Sequence, residues 1–171
     1  IGRTGRDFAC QHENVRPDMY VLGKSLGGGV LPISAVVARK DVMDVIGPGE
    51  HGSTFGGNPL ACAVAREAIR VLADEKLSAR AERLGALMME KLRAQKLPRV
   101  KDVRGRGALV GIELDESAGG ARRYCERIAR EGVLCKETHD VVIRLAPPLV
   151  IDETDLLRGV DTIVRAIEAL G

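Results

Sequence analysis

Tryptophan is absent and aromatic residues make up only 2% of the 171, so the chain has few flat rings on which nucleic-acid bases could stack. Charge of one sign is equally scarce: 26 Lys and Arg stand against 24 Asp and Glu, and the formal +2 leaves no basic excess for neutralising phosphates. These absences argue against nucleic acid as a partner. No apolar run approaches the roughly 20 residues of a membrane-spanning helix, and no signal-like charged and apolar regions open the chain. No membrane partner is expected. The four cysteines, Cys10, Cys62, Cys125 and Cys135, form no CxxC pair. A disulfide framework is therefore excluded as the main stabiliser, and buried thiols in a reducing cytoplasm are the expectation. His12, His51 and His139 share no metal-ligand spacing, so no metal is assigned.

What remains is a chain with 45% hydrophobic residues, of the size of one ordinary domain and able to bury a real core. It starts at Ile1 without Met and reads as a loop entered from something upstream, which makes a fragment the expectation. Met19 to Gly23 and Ile33 to Ala38 read as buried strands around a Gly-rich turn. Asn58-Pro59 supplies an N-cap and a proline for the first helical position, ahead of a face of Leu60, Val64, Ala68 and Leu72. A second helix is predicted from about Leu77 to Leu97, with Leu77, Ala81, Leu84, Met88 and Leu92 on its apolar side and Pro98 stopping it. Strand-like runs follow at 100–103, 108–114, 133–136 and 141–146, with helices over about 120–130 and 152–170. The pattern is α/β. Residues 1–75 read as the end of a parallel α/β layer, and residues 76–171 as a small α+β domain.

Three places can carry chemistry. Lys24 follows an apolar strand in Val21-Leu22-Gly23-Lys24-Ser25-Leu26-Gly27-Gly28-Gly29, where loss of solvation would favour the neutral, nucleophilic amine. A surface lysine in a flexible turn is the plainer alternative. A triphosphate-binding loop is excluded, because its first glycine would fall on Asp18 and the glycines here follow the lysine. His51-Gly52-Ser53-Thr54-Phe55-Gly56-Gly57-Asn58-Pro59 runs hydroxyls and glycines into a helix N-terminus, which suits phosphate or another anion, or is an ordinary capped loop. Arg144 interrupts the apolar strand Val141-Val142-Ile143-Arg144-Leu145, so an anionic partner is expected, either a substrate carboxylate or a structural ion pair. The arginines at 80–83 and 122–123 read as solvated helix faces.

Five ordered motifs carry a resemblance over the whole chain: Arg3-Thr4-Gly5-Arg6, the run 22–29, the run 48–59, Val103-Arg104-Gly105-Arg106-Gly107, and Arg144-Leu145-Ala146-Pro147-Pro148-Leu149-Val150-Ile151. With them the chain resembles the class III, fold-type I pyridoxal-phosphate aminotransferases. The resemblance implies the end of that family's large domain, over 1–75, followed by its small C-terminal α+β domain, over 76–171. It implies pyridoxal 5'-phosphate as cofactor, Lys24 as the lysine that bonds to it, and Ser53 and Thr54 as donors to the cofactor phosphate of a neighbouring subunit. Arg144 corresponds to the arginine that binds a substrate carboxylate. A homodimer with sites at its interface follows. Pro48-Gly49-Glu50, the run 13–18 and the run 144–148 look most like the ornithine-acting branch, which implies L-ornithine and 2-oxoglutarate as substrates. The acetylornithine-acting branch is the alternative within the family, and a non-catalytic dimerisation domain the alternative outside it. Family members are more than twice as long, so an isolated piece of this length is expected to be inactive.

Overall fold

The computed structural model describes all 171 residues, which divide into two compact units. One comprises Ile1 and residues 8–77; the other comprises residues 2–7 and 78–171. The opening segment 2–7 thus belongs with the second unit, whereas a boundary at 75/76 read from sequence assigned it to the first.

In the first unit β1 (Met19–Leu22) and β2 (Ala35–Ala38) pair antiparallel, with Leu22 opposite Ala35. The expected parallel layer is not formed by these two strands, and neither is buried: Val21 is 80% exposed. Apolar, β-branched runs raise strand propensity, but burial also needs a layer packed over the strands. A short α1 (Lys40–Met43) precedes α2 (Pro59–Asp74). α2 starts where the Asn58-Pro59 pair places it, since Asn58 Oδ1 accepts from the Ala61 N–H at 2.9 Å. Its buried positions are the small Ala61 and Ala65, which let it approach the 3₁₀ turn Lys24–Gly27 closely. Leu60, expected on the buried face, is 66% exposed.

The second unit is a four-stranded antiparallel sheet with helices packed on it. α3 (Leu77–Arg93) leads into β3 (Val100–Arg106) and β4 (Leu109–Leu114), then α4 (Ala121–Arg130), β5 (Lys136–Thr138), β6 (Val142–Leu145) and α5 (Glu153–Glu168). The strand order is β3-β4-β6-β5. Leu84, Met88 and Leu92 of α3 meet Val110, Ile112 and Leu114 of β4, Ile143 of β6 and Ile163 and Ile167 of α5 in one core. Each fully buried residue of this size contributes about 1.5–3 kcal/mol. The strand expected at 133–136 begins three residues later, at Lys136. Val133 instead packs against the core. The hairpin through His139 and Asp140, both left-handed, sets the pairing of β5 with β6. No helix is long and apolar enough to cross a membrane, and no group of three or more His, Cys, Asp or Glu side chains is placed to hold a metal ion.

Candidate functional site

Lys24 opens the 3₁₀ turn that follows β1 across extended Gly23. Its backbone is left-handed, with φ of 52°, a conformation that side-chain-bearing residues adopt at a cost of about 1–3 kcal/mol and that clusters where geometry serves function. Asn14, Lys76, Arg99, His139 and Asp140 share it, each at a helix end or turn. The side chain is exposed instead of withdrawn from water. Its amine makes no hydrogen bond or ion pair within the chain, unlike Lys40, which is held by Asp44. Buried Leu26 and Gly27 fix the turn beneath it, and Gly28, with φ of 61°, sits where a Cβ would come within 3.2 Å of Ala68 on α2.

Ser53 and Thr54 lie in the same unit, in the loop ahead of α2. Ser53 Oγ accepts from the Gly56 N–H at 2.9 Å, and Asn58 Nδ2 donates to the Phe55 carbonyl at 2.9 Å. The loop is therefore tied internally while the Ser53 proton and the Thr54 hydroxyl remain exposed. Their position just before the first turn of a 16-residue helix adds the positive end of its dipole. Phe55, 82% exposed between these hydroxyls and the cap, is the unit's most exposed large apolar side chain.

Arg144 belongs to the other unit. The pleat of β6 turns Ile143 and Leu145 into the core and leaves Arg144 exposed on the opposite side of the sheet. Of the two alternatives, a structural ion pair is not formed: no carboxylate of this chain reaches Arg144, whereas Arg104 is held by Asp102 and Glu113. Those contacts push the Arg104 guanidinium up, and hydrogen bonds from Lys101 and Arg104 pull the Glu113 carboxyl down.

Two residues assigned no role at the site from sequence fix the segment beyond Arg144. Arg3 Nη1 donates to the carbonyls of Ala108, at 3.2 Å, and Pro147. Burial pulls its guanidinium below the ordinary value. Arg80, expected on a solvated face, instead donates to Leu149 O at 2.9 Å and Ile151 O at 2.6 Å. Three of the sequence motifs thus meet, because Arg3 joins the β3–β4 turn to the prolines after β6. Of the expected buried thiols only Cys125 is buried, and all four are free. Interaction between the Cys125 and Cys135 thiols pulls the first down and, with burial, pushes the second up.

The chain belongs to the class-III aminotransferases, whose family model matches residues 1–167. Among named relatives, it is 58% identical over 156 residues to an ornithine aminotransferase of Geobacillus sp. (strain WCH70), covering 91% of this chain and 38% of that protein. It is 53% identical over 167 residues to the ornithine aminotransferase of Bacillus subtilis (strain 168), covering 98% and 41%. The structure matches the ornithine aminotransferase of Toxoplasma gondii ME49 with a TM-score of 0.94 at 49% identity, over 99% of this chain and 41% of that one. An acetylornithine aminotransferase of Elizabethkingia anophelis matches with a TM-score of 0.90, also at 49% identity, over 98% and 43%. The chain spans about two fifths of the length of these relatives.

Proposed function

We propose that this chain is part of a pyridoxal-phosphate enzyme that moves the δ-amino group of L-ornithine to 2-oxoglutarate, giving glutamate semialdehyde and glutamate. The observation that carries the reading is Lys24: an exposed, unpartnered amine on a left-handed residue, fixed by a buried turn, within one of the motifs that carry the resemblance. The cofactor supplies a reactive carbonyl and a ring that accepts electrons. The donor set fits it. Lys24 Nζ is free to bond covalently and, once displaced, to carry a proton between the substrate carbon and the cofactor. The hydroxyls of Ser53 and Thr54, ahead of the α2 N-terminus, are placed to donate to a phosphate. We assign that phosphate to a second subunit, with the enzyme a homodimer in the cytoplasm; exposed Phe55 in the same loop supports an interface there. Arg144 offers its planar fork to the carboxylate of the amino-group acceptor.

Borohydride reduction of the full-length holoenzyme, digestion and mass mapping test the assignment. The pyridoxyl group is expected on Lys24, and finding it on Lys40 or Lys136 overturns it. Acetylornithine is the second donor to consider, because the acetylornithine enzyme of E. anophelis is as identical to this chain as the T. gondii enzyme. Rates with both amines on the intact protein separate the two.

A further inference from the structure

One rung of the second unit's sheet carries more positive charge than the protein answers. Arg104 on β3 faces Gly111 on β4, Gly111 faces Arg144 on β6, and Arg144 faces Lys136 on β5. Directly opposed residues of antiparallel strands project from the same face, with Cβ atoms about 4.5–5.5 Å apart, and like charges placed so are destabilising. Arg104 is neutralised by Asp102 and Glu113. Lys136 and Arg144 are not: both are exposed, and neither makes a hydrogen bond or ion pair in the chain. The acids around them are already taken. Glu113 is held by Lys101 and Arg104, and Glu137, on the other face of β5, is held by Arg122. Other cations of this unit find acids, as Arg83 does with Glu153 and Lys91 with Asp161. The opposed pair finds none, and its two cations stand directly across the ladder from each other, with Gly111 beside them leaving the flank of Arg144 without a side chain.

We propose that Lys136 is a specificity-determining residue: with Arg144 it forms a two-cation site for the dianionic keto-acid acceptor. The proposal rests on the reading of Arg144 given above. Arg144 supplies the bidentate fork and Lys136 a mobile point charge beside it. At neutral pH 2-oxoglutarate carries two negative charges and ornithine one net positive charge, so the added field favours the acceptor and disfavours the amine. The repulsion between the two cations in the empty sheet is relieved only when the anion arrives.

The test uses the full-length holoenzyme and the variants Lys136→Met, Lys136→Arg and Arg144→Lys. Lys136→Met is expected to raise KM for 2-oxoglutarate about fivefold, the top of the range for a partly exposed ion pair, without raising KM for ornithine. It should also flatten the fall of acceptor kcat/KM with added salt. Lys136→Arg should restore both. An unchanged acceptor KM in Lys136→Met, with Arg144→Lys raising it, overturns the role of Lys136 and leaves that of Arg144 standing. An unchanged acceptor KM in Arg144→Lys overturns the reading of Arg144 and this proposal with it. A lowered Tm in Lys136→Met with normal kinetics assigns Lys136 to the sheet and overturns the proposal.

Discussion

Gly85 lies in the middle of α3, where helix propensity alone favours alanine by about 1 kcal/mol. The structure reverses that sign. A Cβ on Gly85 would lie 2.0 Å from the carbonyl oxygen, 2.4 Å from the carbonyl carbon and 2.8 Å from the Cα of Gly107 in the β3–β4 turn. The turn has no room to retreat: on its other side a Cβ at Gly107 would meet Thr4 at 2.4 Å and Arg3 at 2.6 Å, and the Ala108 N–H is bonded to the Arg3 carbonyl at 2.9 Å. Overpacking costs about 1–3 kcal/mol, and backbone on both sides puts this case at the upper end. Against the propensity gain, Gly85→Ala should destabilise by about 2 kcal/mol net. Urea unfolding of the full-length protein should show a lower midpoint at unchanged slope. Exposed Ala86 next to it provides the control, since Ala86→Gly meets no such contact and should lose only about 1 kcal/mol. A Gly85→Ala protein as stable as its parent, beside a weakened Ala86→Gly, refutes the close approach.

Glu113, whose carboxyl is held below its ordinary 4.5 chiefly by the hydrogen bond from Lys101 and then by that from Arg104, stabilises the fold above that value and ceases to do so as pH falls through its lowered folded-state value. Glu113→Gln should therefore flatten the acid limb of the stability curve, read as Tm against pH; an unaltered limb contradicts the pairing. Thr54→Ala should weaken cofactor binding by about 1.5–3 kcal/mol, as expected for a charge-assisted hydrogen bond, with the melting curve of the cofactor-free protein unchanged. Equal cofactor affinity in the two proteins removes Thr54 from the phosphate site. Asn58→Ala should cost about 1 kcal/mol of stability through loss of its bond to the Ala61 N–H, and a neutral result in the same assay contradicts the cap.

Local rules were enough wherever one short stretch decides the outcome. The Asn58-Pro59 start of α2 and the α3 face of Leu77, Ala81, Leu84, Met88 and Leu92 follow from capping and from 3.6-residue spacing. They failed where the answer lies across the sheet. Propensity marks β1 and β2 as strands but says nothing of their direction or cover, so their antiparallel, exposed pairing was not legible. Arg144 stood out as a charge among apolar residues, yet only the pleat shows it leaving the core, and only the register sets Lys136 beside it. Arg80 read as a solvated helix face, and Arg3 as one residue of an opening motif with no role of its own, because their acceptors, Leu149 and Pro147, lie 69 and 144 residues away.

Residues 2–7 fold with 78–171, so the first unit interrupts the second. The interruption is closed at its base: Ser78 Oγ donates to Asp7 Oδ1 at 2.7 Å, placing the points of exit and return side by side. A piece cut to begin at Ser78 would leave the Ala108 and Pro147 carbonyls without Arg3 and the β3–β4 turn without the segment that backs it. A piece that retains 2–7 and bridges to Ser78 with a few flexible residues keeps them, because neighbouring ends can be joined without strain. Dissection of this protein therefore calls for excision and splicing, with the opening hexapeptide carried along as the brace of the turn it packs against.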